Sequence, residues 1–323
     1  MTRVLTGIQS TGTPHLGNLL GAILPAIKMA NNTDSESFLF IADMHSLTQI
    51  KDGEVLSENT YAVAAAWLAC GLDPGKTVFY RQSDVPEVTE LTWYLMCYFP
   101  YSRLTLAHSF KDKSDRLSDV NAGLFTYPML MAADILLYDA DQVPVGKDQM
   151  QHLEMTRDVA QKLNNSANKE LLVVPEARIE EQTQLIPGTD GEKMSKSRKN
   201  TINIFQSDKK LRKAVMKIET DSLPMEAEKD PESCNVFALF KRLGSSDQTA
   251  ELAEKYRAGG LGYGHAKQAL YELILERFKQ PREHFNYFIE HPREVDDILA
   301  EGAEKARKVA HKTLYRVRRE MGY

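Results

Sequence analysis

At 323 residues, with 42% hydrophobic and 26% charged side chains, the chain has the composition of a globular protein of one large domain or, as expected here, two. A formal net charge of −5 excludes polyanion binding through overall charge, and the apolar run Tyr61–Leu72 is too short to span a bilayer. Cys70, Cys97 and Cys234 lie far apart without a C-x-x-C pair, and "MTRVLTGIQS" lacks the apolar core of a signal peptide, so a reducing cytoplasm is expected, with no disulfide framework and no protein metal site.

In chain order, Val4–Thr6 reads as a first buried strand, followed by a loop with Gly7, Gly12 and Gly17 and by a helical pattern over Leu19–Met29. Pro25 inside that pattern predicts a kink or a freed carbonyl. A glycine loop between strand and helix suits phosphate, because free N–H groups and the helix dipole point there. It matches neither G-x-G-x-x-G nor the P-loop, so a purely structural loop is an equal reading at this point. Further strands are expected at Ser37–Asp43, Thr77–Gln82, Asp141–Gly146 and Glu170–Pro175. Helices are expected between them, at Glu58–Cys70, Glu87–Met96, Pro128–Tyr138 and Gln149–Leu163. This alternation predicts an α/β fold with a parallel five-stranded sheet and helices on both faces, its ligand site beyond the carboxyl ends of the strands. The Gly12 loop, Asp43-Met44-His45 and Gly146-Lys147-Asp148-Gln149 all fall at such ends. From about Ser207 helices take over, the last of them carrying an apolar stripe from Val295 to Met321. We divide the chain into an α/β domain, 1–188, and a loop plus helical region, 189–323, with the last helix positioned to pack back on the first domain.

Between Lys193 and Lys217 nine Lys or Arg face one acid, Asp208, and a second basic run follows from Lys305 to Arg319. Solvated helix faces explain each run alone; two runs in an acidic chain keep a local polyanion site open. The first run begins with Lys193-Met194-Ser195-Lys196-Ser197, the K-M-S-K-S signature of class I aminoacyl-tRNA synthetases. His15-Leu16-Gly17-Asn18 then resembles the partner signature, His-Ile-Gly-His, with the final Asn of the tryptophanyl and tyrosyl branch. "YPMLMAADILLY" and "VPVGKDQMQHLEMTRDVA" resemble bacterial tryptophanyl-tRNA synthetases closely, and the resemblance runs from Val4 through Met321.

That resemblance implies a Rossmann-like catalytic domain, a helical anticodon-binding region and a homodimer whose interface follows Tyr94. It implies activation of L-tryptophan by ATP with Mg²⁺, then transfer to tRNA(Trp). It assigns ATP contacts to Gln9, Ser10, Thr11, Gly17, Asn18, Gly146, Lys147, Asp148, Ile186, Lys193, Met194, Ser195, Lys196 and Ser197, with Lys193, Lys196 and Gln9 catalytic. His15 is a further candidate for a phosphate hydrogen bond. The chemistry agrees: attack of a carboxylate on the α-phosphate needs no protein nucleophile, only positioning and charge stabilisation. Amides near Gly17 suit phosphates, and Asp148 suits ribose hydroxyls. For tRNA, Lys111 and Lys113 are expected near the acceptor stem, and the region between Asp208 and Arg282 near the anticodon.

Tyr127, Met131 and Asp134 are spaced i, i+4 and i+7 and share a helix face. An indole is apolar with one N–H donor, and an ionised carboxylate is a pure acceptor. Leu5, His45, Val143, Val145 and Gln149 complete the expected tryptophan pocket, although a core or capping role explains His45 and His152 equally well. Tyrosyl enzymes resemble Leu-Gln-Ala-Tyr-Asp where this chain reads Leu130-Met131-Ala132-Ala133-Asp134. Besides the tyrosyl enzymes, the alternatives are a small nucleotidyltransferase with a His-x-Gly-His loop and a non-catalytic nucleic-acid binder. The full K-M-S-K-S loop with its helical half opposes the former; intact Lys193, Lys196 and Asp134 oppose the latter.

Overall fold

A computed structural model of the chain describes residues 1–32, 34–107, 120–146, 149–179 and 186–323. Five parallel strands, β1 (Thr2–Gln9), β2 (Ser35–Ala42), β3 (Thr77–Arg81), β4 (Gln142–Val145) and β5 (Glu176–Ile179), form one sheet in the order β3-β2-β1-β4-β5. In β2 the alternation is plain. Phe38, Phe40 and Ala42 join one apolar cluster, Leu39 and Ile41 the other, so both faces are covered, as parallel sheets require.

Helices α1 (Leu16–Asn18) and α2 (Leu24–Ala30) are joined by a π-helical turn, Leu19–Ile23. This is the physical outcome of Pro25, which has no N–H for an i→i−4 bond, so the ladder widens just before it. Next come α3 (Asp43–Ser46), α4 (Gly53–Ala69), α5 (Glu87–Tyr98), α6 (Tyr101–Leu104), α7 (Ala122–Leu136) and α8 (Met150–Ala167). Asp52 caps α4 by accepting from the N–H groups of Glu54 and Val55. Helix α7 starts six residues before the expected Pro128, because Asn121 caps it and the proline is carried inside.

One strand falls elsewhere than expected. Glu170–Pro175 forms no strand, and β5 begins at the next residue. Leu171 and Leu172 are apolar because they plug the end of α8, where both N–H groups donate to Asn164 Oδ1.

Helices α9 (Asp208–Met216), α10 (Asn235–Leu243), α11 (Ser246–Ala258), α12 (Tyr263–Arg277) and α13 (Lys279–Glu290) build the second half, and their core is continuous with that under α4. The last helix, α14 (Pro292–Met321), returns to the sheet and covers edge strand β3. Val295 and Leu299 join the cluster on one sheet face, Ala303 through Val317 the cluster on the other. Gly302 is the crossing point: a Cβ there would lie 1.8 Å from the Phe79 carbonyl oxygen. Ion pairs clamp the helix: Arg307 Nη2 to Glu87 at 3.0 Å, Arg318 Nε to Glu90 at 2.6 Å and Arg316 Nη1 to Asp139 at 2.9 Å. Lys305 and Lys308 pair with Glu301 and Glu304 of the same helix. Much of the C-terminal basic run is therefore engaged by the protein's own carboxylates.

Candidate active site

From β1 the chain runs outward through β2 and β3, then crosses to β4 on the other side of β1. The strand ends part at this switch point, and a cavity of about 620 Å³ opens there. Leu5, Gln9, Thr11, Asn18, His45, Tyr127, Met131, Asp134, Val143, Val145, Gln149 and Lys196 all line it. The expected tryptophan residues are thus brought together with part of the expected ATP set.

At the inner end, α7 presents Tyr127, Met131 and Asp134 to the cavity. Asp134 is 3% exposed, and burial pushes its carboxyl upward while His45 and Gln82 oppose the shift. His45 Nε2 lies 2.8 Å from Asp134 Oδ2, and Gln82 Nε2 donates to Oδ1 and Oδ2 at 2.8 and 3.0 Å. Opposite an ionised carboxylate, the imidazole must carry its proton on Nε2. Tyr127 Oη pairs with His152 Nε2 at 2.8 Å, so His152 supports the pocket wall from behind. Apolar Leu5, Met131, Val143 and Val145 stand beside the buried Asp134 carboxylate at this end of the cavity.

At the outer end the two signature loops meet. Lys196 Nζ donates to the Thr11 carbonyl at 2.9 Å and lies 3.1 Å from where a Cβ on Gly12 would stand. Gly12 also has φ +106°, a backbone state open chiefly to glycine. The Lys196 side chain is exposed as a whole, but its Nζ sits in the mouth of the cavity, where desolvation lowers its pKa. His15 is buried and its pKa is lowered to about 4, first by desolvation and then by Lys196.

The amides at the start of α1 differ from the expected phosphate cradle. Leu16 N–H donates to the Ile202 carbonyl at 2.8 Å, Gly17 N–H to Met194 Sδ at 3.2 Å and Asn18 N–H to His15 Nδ1 at 3.2 Å. His15 is therefore a helix cap, reciprocated by Asn18 Oδ1. Of these acceptors only thioether sulfur is weak, so Gly17 N–H is the amide a phosphate oxygen would most readily take over.

Several expected ATP residues stand off the cavity wall. Ser10 is fully buried, its hydroxyl 3.1 Å from that of Ser46. Ser195 and Ser197 hydroxyls bond each other at 3.0 Å, Met194 is turned onto Gly17, and Lys193 is exposed outside the cavity. Ile186 is buried and accepts from Met194 N–H at 2.9 Å, while Gly146 lies exposed just after β4. Lys147, Asp148, Lys111 and Lys113 lie outside the described residues. Two residues escaped sequence reasoning. Gln82 was hidden by its distance in sequence from Asp134. Asn200 pins the signature loop, accepting from Ser195 N–H at 2.8 Å and donating to the Lys193 carbonyl at 3.1 Å. Its one signal was an Asn closing a Gly- and Lys-rich loop.

Comparison with known proteins gives concordant matches. The family profile of class I tRNA synthetases (W and Y) matches residues 1–279. A tryptophan–tRNA ligase of Campylobacter jejuni is 47% identical over 99% of this chain and 99% of its own length. That of Neisseria meningitidis is 45% identical over 99% and 97%. A crystal structure of the Campylobacter jejuni tryptophanyl-tRNA synthetase, complexed with ADP and tryptophan, superposes with a TM-score of 0.96 at 46% identity, covering all of both chains.

Proposed function

The chain belongs to the class I tRNA synthetases of the W and Y branch, and from that membership we propose that it is a tryptophan–tRNA ligase, activating L-tryptophan with ATP and transferring it to tRNA(Trp). The observation that carries the reading is the single cavity that joins the Asp134 slot to the Lys196–Thr11 contact. Tryptophan enters with its indole between Leu5, Met131, Val143 and Val145 and its N–H on Asp134. Its carboxylate then faces the nucleotide end, near Gln9, Thr11 and Asn18. Attack on the α-phosphate releases pyrophosphate. Lys196 follows the departing charge as a mobile cation on a loop braced by Asn200, and Lys193 joins it when the loop turns inward. No side chain forms a covalent intermediate.

Mg²⁺ arrives with ATP. Among the described residues no three His, Cys, Asp or Glu side chains gather to hold an ion. Gln9 and Thr11 bring neutral oxygens to the cavity wall, which suit an ion whose charge is met by the triphosphate. We read the segment that follows Tyr94, with exposed Tyr101 and Leu106 beside Trp93 of α5, as a homodimer interface, and the exposed lysines of α9 as tRNA contacts. The 1–188 and 189–323 division and a cytoplasmic setting complete the reading; no helix among the described residues is long and apolar enough to cross a membrane. The test is charging of tRNA(Trp) with radiolabelled tryptophan. Acid-stable, ATP-dependent incorporation is expected, and its absence with an active enzyme preparation and intact tRNA would refute the proposal.

A further inference from the structure

We propose that Gln82 is the positioning residue that makes the indole N–H the recognised feature of the substrate, acting through Asp134. The inference rests on the tryptophan reading above. Gln82 is 1% exposed and sits at the carboxyl end of β3, opening a 3₁₀ turn over Gln82–Asp84. That turn is tied to α3: Asp43 accepts from Ser83 N–H at 3.1 Å and from the Ser83 hydroxyl at 2.5 Å. The Gln82 amide is held at both ends. Its Oε1 accepts from His45 N–H at 3.3 Å, and its Nε2 reaches both Asp134 oxygens. With the oxygen end fixed by a backbone donor, the nitrogen end must face the carboxylate.

The consequence follows from counting lone pairs. An ionised carboxylate has about four acceptor directions. Gln82 takes one on each oxygen, and His45 takes a second on Oδ2. Oδ1 keeps one direction, on a residue that lines the cavity, and the indole N–H fills it. Gln82 is not on the cavity wall. It spans the two oxygens and fixes the plane of the carboxylate, so the remaining direction is aimed rather than averaged over rotamers. Removing the amide frees that plane and takes away a donor that favours the ionised, purely accepting form.

A purely structural role would weaken every substrate alike, so two substrates separate the readings. Tryptophan and 3-(benzothiophen-3-yl)alanine have nearly the same shape, but sulfur replaces the N–H in the second. Gln82→Met keeps side-chain length and loses the donor. ATP–pyrophosphate exchange is measured with both amino acids on the wild type and the variant. The variant should lose about 10- to 100-fold in kcat/KM for tryptophan, chiefly through KM, while the analogue changes by less than about threefold. Retained activity on the analogue also reports a folded site. If Gln82→Met does not fold, the same pair is run on Gln82→Asn, which keeps an amide but withdraws it by one methylene. Equal losses on both substrates, or no loss on tryptophan, overturn the assignment. Absence of tryptophan-dependent exchange in the wild type would instead remove the reading of function, and the inference with it.

Discussion

Replacing Asp134 by Asn tests the recognition chemistry with little change of shape. Gln82 Nε2 donates to its two oxygens at 2.8 and 3.0 Å and His45 Nε2 lies at 2.8 Å; in the proposed binding mode the indole N–H is the third donor group. A carboxylate accommodates all three; an Asn oxygen has two lone pairs, and its NH₂ brings two more donors. Whichever way the amide turns, one former acceptor becomes a donor facing Gln82, His45 or the indole. One hydrogen bond in a buried site is then lost, which costs about 1–3 kcal/mol, or roughly 5- to 150-fold in kcat/KM for tryptophan. Folding stability should change much less, because the variant also removes a desolvated charge. The assay is steady-state pyrophosphate exchange at varied tryptophan and saturating ATP, with a melting curve alongside. An unchanged kcat/KM for tryptophan would refute the acceptor role of Asp134.

Lys196→Ala should lower the rate of adenylate formation about 100-fold with little change in tryptophan binding, as expected for a charge felt mainly in the transition state; rapid-quench measurement of the first turnover checks this, and an intact burst would reduce the loop to a linker. Gly302→Ala places a Cβ 1.8 Å from a backbone oxygen of β3 and should destabilise folding by more than about 3 kcal/mol in urea titration. Gly264→Ala in α12, where nothing lies within 4 Å, should be neutral or mildly stabilising. His15 titrates near 4 in the folded protein against 6.5 unfolded, so below 6.5 the unfolded chain takes up a proton that the folded one refuses. That contribution, up to about 3 kcal/mol, is present above pH 6.5 and lost as pH falls toward 4. His15→Asn keeps a capping oxygen and should flatten that part of the stability–pH curve, whereas identical curves would reject the assignment.

Local periodicity made the sheet legible, since Phe38, Phe40 and Leu39, Ile41 alternate on β2 with both faces buried. It misled at Leu171-Leu172, where apolar residues serve as a plug held by Asn164 rather than as a strand. Pro128 hid the first turns of α7 because a proline at a predicted helix start reads as an N1 residue. In the site, Tyr127, Met131 and Asp134 were legible from helical spacing and Lys196 from its signature. Gln82 and Asn200 were not, because their partners are set by folding and not by neighbours in sequence. The same limit applies to Met194, whose apolar type gave no hint that its sulfur would meet Gly17 N–H across 177 positions.

The central claim is that one cavity activates tryptophan and no other amino acid with comparable efficiency. ATP–pyrophosphate exchange, run with each of the twenty amino acids in turn on the purified protein, tests it most directly. Exchange should be strong with tryptophan and at least about 100-fold weaker, as kcat/KM, with tyrosine and phenylalanine. Preferential exchange with tyrosine, or none with tryptophan, would contradict the account.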